Sequence, residues 1–232
     1  LLDDIVLYFP SPDKRKKAGI DTKTNDVFAA DYDFSKTKSA QIFKTIVDPF
    51  IGKYSMIKVC SGVIKNDDSL YNINKNVEER ISKLYVFEGS KPVEVPELHA
   101  GDIGAIGKLG HARTGATLSL KSHPIQYAKI DVSVPYTYKR YRAKNKGDED
   151  KVAQALQKMS HEDLTMKVVN DAENRQTLLY GMGDQHLDII QSKLLTKYKI
   201  EIELEKPQVA FRETIRKKSD VEAKYKKQSG GH

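Results

Sequence analysis

Two folds in series are expected from this sequence: an all-β barrel, then an antiparallel sheet with two helices on one face. The fold class is therefore multidomain β and α+β. Three observations predict it. Seven short runs rich in Ile, Val, Phe, Tyr and Leu fall between residues 39 and 120, separated by Gly, Asn, Asp and Pro, a spacing that marks a barrel or sandwich. After His123-Pro124, two stretches of helical periodicity are interleaved with strand-like runs. The chain has 232 residues, is 39% hydrophobic and 31% charged, and contains no run near the roughly 20 apolar residues that span a bilayer.

Leu1–Phe9 is an apolar-rich helix end, stopped by Pro10-Ser11-Pro12, which cannot continue a helix. Asp13–Phe34 is rich in Lys, Asp and Thr and reads as a linker, so residues 1–35 stand apart from the barrel. The barrel, 36–122, is assigned Gln41–Val47, Ser55–Ser61, Leu70–Asn72, Arg80–Phe87, Val93–Val95, Ile103–Ile106 and Thr117–Leu120. In 124–206, Ile125–Val134 is expected as a half-buried strand ending at Pro135, followed by a helix from Asp148 to Met159 with Val152, Ala155, Leu156 and Met159 on one face. Leu164–Val169 and Thr177–Tyr180 form a hairpin, Leu187, Ile190, Leu194 and Leu195 mark a second helix, and Ile200–Leu204 is the last strand. The order β-α-β-β-α-β is the ferredoxin-like arrangement. Val209–Ile215 is expected to open a further strand within 207–232, ahead of a lysine-rich tail that offers little apolar area to repay ordering.

The chemistry is chiefly that of binding. The single Cys60 excludes an internal disulfide and fits a reducing cytoplasm. A net charge of +7 points to an anionic partner without naming it. Asn145-Lys146-Gly147-Asp148 matches the Asn-Lys-x-Asp pattern that reads guanine, but such a site also needs a phosphate-cradling loop at a strand-to-helix turn. The nearest candidate, Gly101 through Leu109, has one residue too many between Gly101 and Gly107, and Leu109 stands where a hydroxyl must hold Mg²⁺. Both matches read as decoys. No histidine pair has His-x-x-x-His spacing, so no metal site of that kind is expected.

Several strings then occur together. They include Asp48-Pro49-Phe50-Ile51-Gly52-Lys53, Ser61-Gly62-Val63-Ile64, Ala100-Gly101-Asp102-Ile103 and Thr114-Gly115-Ala116-Thr117-Leu118. Further on come Gly181-Met182-Gly183-Asp184-Gln185-His186-Leu187-Asp188, Lys206-Pro207-Gln208-Val209-Ala210-Phe211-Arg212-Glu213-Thr214-Ile215 and Lys227-Gln228-Ser229-Gly230-Gly231. In this order and spacing the chain resembles the elongation factor G family of bacterial translation factors, from Leu1 to His232. The resemblance implies that Leu1–Pro12 ends a GTPase domain, 36–122 is the translation-factor barrel, 124–206 the third domain and 207–232 the start of a fourth. It implies a piece of a longer GTPase that drives tRNA–mRNA translocation in the cytoplasm, a monomer whose GTP and Mg²⁺ are held outside this stretch. No catalytic residue and no cofactor is then expected here. The implied partners are the ribosome, through its RNA and small-subunit proteins, and tRNA–mRNA.

The same resemblance suggests roles for particular residues. Lys53, Lys65 and Arg80, near turns or strand ends, are candidates to meet ribosomal RNA phosphates. Pro135, Gly181, Asp184 and His186 correspond to the segment that faces the GTPase domain and helps form the fusidic acid pocket. Gly181 and Gly183 bracket a strand-to-helix turn where positive φ or close backbone approach is expected. Gln228, Ser229, Gly230, Gly231 and His232 correspond to the tip loop of the fourth domain. The family usually has Glu where Asp184 stands and Arg where His232 stands. These departures leave open a ribosomal-protection or other paralogue, and an autonomous RNA-binding barrel is a further alternative.

Overall fold

The computed structural model describes residues 1–11, 14, 17–48 and 52–224. Helix α1, Leu2–Tyr8, carries Asp3 and Asp4 in its first turn, where carboxylates favour the positive end of the helix dipole, and none of its residues is buried.

The expected linker is instead partly a hairpin. Strands β1 (Ala18–Asp21) and β2 (Val27–Ala29) pair antiparallel, and β1 also pairs with β13 (Ile125–Gln126). The turn closes because the Asp21 carboxylate accepts the Lys23 and Thr24 N–H groups, and Asn25 takes the left-handed conformation that asparagine tolerates. At Gly19 an added Cβ would lie 2.9 Å from Ile125 Cγ2, so only glycine lets the two strands meet. A small core of Ala30, Cys60, Ile125 and Tyr127 seals this hairpin to the barrel.

The barrel is an eight-stranded antiparallel sheet in the order β7-β6-β12-β3-β4-β11-β8-β9. Its strands are β3 (Ser39–Asp48), β4 (Gly52–Ser61), β6 (Ser69–Asn72), β7 (Val77–Arg80), β8 (Leu84–Glu88), β9 (Lys91–Val95), β11 (Ile103–Gly107) and β12 (Thr117–Ser119). A short ladder of β5 (Val63–Lys65) with β10 (Glu97–His99) adds to it. Strands from both ends of the sheet converge on one core, including Ile42, Ile57, Leu70, Leu84, Ile106 and Leu118, so the sheet wraps around it. The expected strand Arg80–Phe87 is broken at Ile81–Lys83. Ile81 is fully buried, and its N–H and C=O pair with Asp68 and Asp67 across a turn, while the Asn66 side chain accepts the Leu84 N–H.

The second sheet runs β15 (Lys167–Asp171), β16 (Gln176–Gly181), β14 (Thr137–Ala143), β17 (Ile202–Glu205). With α2 (Glu149–Glu162) and α3 (Asp184–Tyr198) it gives the β-α-β-β-α-β order. Val152, Leu156, Met159, Leu179, Leu187, Ile190 and Leu194 fill the space between helices and sheet. The first strand is Thr137–Ala143, not Ile125–Val134, and Pro135 therefore precedes it. In β14, Tyr141 and Ala143 pack toward the helices, while Arg140 and Arg142 pair with Glu205 and Glu203 on β17. The apolar alternation Ile130–Val134 has no ladder, and Val134 is 81% exposed. Val209–Ile215 is likewise not a strand: Phe211 is 91% exposed, and among the described residues Gln208 bonds to Gln176 just before the segment and Arg212 to Glu173 within it. Gln228–His232 lie outside the described residues.

Candidate interdomain coupling site

The seam between barrel and third domain is built on two consecutive carboxylates, Glu162 and Asp163, where α2 ends. Glu162 Oε1 accepts the Val47 N–H of β3 at 2.7 Å, and Lys197 of α3 donates its ammonium to the Val47 carbonyl at 3.0 Å and to Glu162 at 3.2 Å. Both polar groups of one barrel residue are thus held by the third domain.

Asp163 points the other way. Its carboxylate accepts the Thr165 N–H and hydroxyl, and its Oδ2 meets His186 Nε2 at 2.9 Å. His186 Nδ1 accepts the Met182 N–H at 3.0 Å. A backbone N–H can donate only to a bare ring nitrogen, so the proton lies on Nε2 and is donated to Asp163. Burial works against the charge on Asp163, yet the Thr165 and His186 hydrogen bonds outweigh it and hold the carboxyl below the usual carboxylate range. A covalent dipeptide therefore links the barrel strand to the turn between β16 and α3.

Three of the residues singled out by resemblance flank that turn, Gly181 at the end of β16 and Asp184 and His186 in α3, and the fourth is close by. Gly181 is needed for close approach: a Cβ there would stand 2.9 Å from Leu187 Cδ2 and 3.1 Å from His186 Nδ1. Positive φ plays no part at either glycine, since Gly183 is extended (φ 173) with open space around it. Asp184, the first residue of α3, lies in the first turn behind the N-cap residue Gly183 and pairs with Lys139 at 3.0 Å. Thr137 pairs with Gly181, which places half-buried Pro135 two residues from the same sheet end.

The barrel cations fall in two places. Lys65 pairs with Glu97 at 3.0 Å and Arg80 with Asp67 at 2.9 Å, both exposed and both bordering the 66–68 turn. Lys53 turns toward the third domain instead. Its ammonium donates to the Ala112 carbonyl at 2.8 Å, and burial holds it below the usual lysine value, opposed by Glu79 and reinforced by Arg113. The sequence reading missed Glu162, Asp163, Lys139 and Lys197. The one available signal was an acidic pair directly after a helical apolar stripe.

The guanine-like string carries other roles here. Asp148 is the N-cap residue of α2 and pairs with Lys151, and Gly101–Leu109 contains strand β11 and ends at a buried Leu109. These residues do not fit a nucleotide–Mg²⁺ site. Among the described residues no group of three His, Cys, Asp or Glu gathers to hold a metal, and no helix is long and apolar enough to cross a membrane.

A β-barrel fastened to a ferredoxin-like domain through the end of one helix is the two-domain arrangement that the resemblance to translation factors implies. Family models agree: elongation factor G domain 2 matches residues 37–121, and elongation factor G domain III matches residues 132–206. The chain belongs to the elongation factor G family. Elongation factor G of Chlamydia trachomatis serovar D is 37% identical over 232 residues, covering 100% of this chain and 33% of that protein, and the serovar A protein gives the same values. A crystal structure from Thermus thermophilus superposes with a TM-score of 0.69 and 27% identity, over 90% of this chain and 29% of its own. The chain thus spans about a third of the length of the curated relatives it matches.

Proposed function

We propose that this chain forms the ribosome-docking and interdomain-coupling portion of a translational GTPase that promotes tRNA–mRNA translocation. In this reading GTP and Mg²⁺ are held outside these residues, and this portion turns over no nucleotide itself. The observation that carries it is the Glu162–Asp163 link, which ties a barrel strand to the Gly181–His186 turn in a chain matching both family domains. A displacement at the turn pulls on Asp163, and through Glu162 on the peptide of Val47. Lys65 and Arg80 then meet ribosomal RNA by exchanging exposed carboxylate partners for phosphates, at small cost because such surface pairs are worth about 0–1 kcal/mol. Pro135, Gly181, Asp184 and His186 face the nucleotide-binding domain, and Gln228–His232 approach the tRNA–mRNA complex.

The test uses the full-length protein. Glu162→Ala and Asp163→Ala are expected to retain ribosome-stimulated GTP hydrolysis while slowing movement of tRNA–mRNA. Wild-type translocation rates in both variants would overturn the coupling role. Failure of the parent protein to pellet with ribosomes would overturn the docking role. Release of a bound antibiotic without translocation would assign the chain to a ribosomal-protection factor.

A further inference from the structure

Between the barrel and α2 lies a cleft of about 240 Å³ lined by Lys53, Arg113, His161, Gln157, Ser160 and Thr45. Both domains contribute to it, and on the α2 side it adjoins the Glu162–Asp163 link through His161 and Leu164. Its charge is one-sided. Lys53 spends one ammonium proton on the Ala112 carbonyl, leaving two to donate. Arg113, in the loop between β11 and β12, has no acidic partner among the described residues, and His161 has no hydrogen bond there. The carboxylate that acts on Lys53, Glu79, is already engaged by the His111 N–H and the Asn72 amide. Neighbouring Glu162 and Asp163 are turned to Val47 and His186.

We propose that this interdomain cleft is a binding site for a phosphate group, held by Lys53 and Arg113 from the barrel and by His161 with Gln157 from α2. The proposal does not depend on the ribosome reading. Arg113 supplies the planar fork that matches two phosphate oxygens, and Lys53 a point charge beside it. The volume holds several waters, hence a tetrahedral oxyanion with part of its hydration. The C-terminal end of α2 brings about half a negative charge that opposes the anion, but that effect fades within the last turn and is outweighed by two fixed cations. In the free protein the cations repel one another: burial first, then Arg113 and Lys53, push His161 below the usual histidine value. A bound phosphate relieves this repulsion and draws the two domains together. The phosphate can be free or part of an RNA backbone, since the chemistry is shared.

The 232-residue protein is titrated with inorganic phosphate, and separately with a short single-stranded RNA, at constant ionic strength, following the His161 ring protons by NMR. Saturable shifts of His161 with either probe are expected, with affinity falling about tenfold in Arg113→Gln. Because Arg113 is exposed and unpaired among the described residues, this variant leaves the fold unchanged, and His161→Gln, read by thermal stabilisation on adding phosphate, provides a second check. Saturation by inorganic phosphate assigns a small-anion site, whereas saturation by RNA alone assigns a backbone-phosphate site. No saturable shift with either probe, or equal affinity in Arg113→Gln, would overturn the proposal.

Discussion

The barrel and the domain after it handle their interior polar groups differently. The barrel buries neutral hydroxyls. Ser39 bonds Ser61 at 2.5 Å and Tyr127 at 2.6 Å, Ser119 accepts the Ile125 N–H, and Thr117 accepts the Tyr127 N–H. The third domain relies on ions: Arg140, Arg142 and Lys144 pair with Glu205, Glu203 and Glu201 beside β14 and β17, and the Asp163 carboxylate accepts the Nε2 proton of a neutral His186. Neutral hydroxyl networks are indifferent to pH and salt in the physiological range, whereas ion pairs are screened and titrate. The barrel thus keeps ion pairs such as Lys65–Glu97, Arg80–Asp67 and Lys83–Glu94 outside an interior held by hydroxyls, whereas the third domain sets its ions along one strand pair and at the domain seam.

The largest expected effect tests whether these are two bodies at all. Ile57→Ala removes a fully buried side chain from the barrel core and should cost about 2–5 kcal/mol. Denaturant unfolding followed by probes in each domain should show the barrel transition moving while that of the third domain stays. Leu179→Ala, buried between sheet and helices, should do the reverse. Transitions that shift together in both variants would show one cooperative unit and erase the comparison.

Next in size is His186→Ala. It strips the Met182 N–H and the Asp163 carboxylate of a partner, and leaving such groups half-buried and unpaired costs about 1–3 kcal/mol. Faster amide exchange at Met182, with unchanged exchange in the barrel strands, is the expected signature. Protection at Met182 equal to wild type would mean that the histidine does not hold the turn.

How much of this was legible in the sequence divides along the same line. The barrel strands are read from apolar runs between turn residues because their inward faces are apolar and continuous, as in Ser55–Ser61. The break at Ile81 escaped because a buried Ile inside a run looks like strand; what interrupts it is the Ile81 N–H donating to the Asp68 carbonyl across a turn, which periodicity does not encode. In the third domain the most charged strand, Thr137–Ala143, was passed over for the apolar stretch Ile130–Val134. Its arginines are stabilised by glutamates about 60 residues away on β17, and such pairing is invisible to local pattern. The hairpin of β1 and β2 was hidden similarly, since its register depends on β13 about 100 residues later. At the site, Gly181, Asp184 and His186 were singled out by resemblance, and of the two reasons offered for glycine at 181, close approach holds and positive φ does not. Glu162 and Asp163 were missed because their partners lie on other elements.

A smaller effect sharpens the ionic half of the comparison. Each exposed pair of the β14–β17 ladder is worth about 0–1 kcal/mol and weakens as salt shortens the Debye length. Raising the salt from about 0.1 M to about 1 M should therefore lower the third domain's midpoint slightly and the barrel's less, since the barrel's exposed pairs sit singly at turns and strand edges, not in one ladder. Glu203→Gln, which removes one of the two carboxylates paired with Arg142 and leaves Glu205, should reduce that salt sensitivity. A barrel that loses as much stability as the third domain would remove the distinction.

The smallest effect lies in the acid limb of third-domain stability, where two groups act in different windows. The folded state holds His161 below the ordinary value of 6.5, through burial and then the charges of Arg113 and Lys53. Its unfolded form therefore binds a proton first as pH falls, and stability is lost just below that value. Asp163 is held below its ordinary 3.8, its hydrogen bonds from Thr165 and His186 prevailing over burial. Its contribution is complete above that pH and disappears as pH falls through the lower folded value, because the unfolded carboxyl takes up its proton earlier. His161→Gln should flatten the stability curve only in the upper window, and Asp163→Asn only in the lower one. Chemical unfolding in small pH steps separates them. A wild-type curve already flat across the upper window would mean that the cleft does not disfavour the charged histidine, and that the crowding of cations around it is offset by solvent.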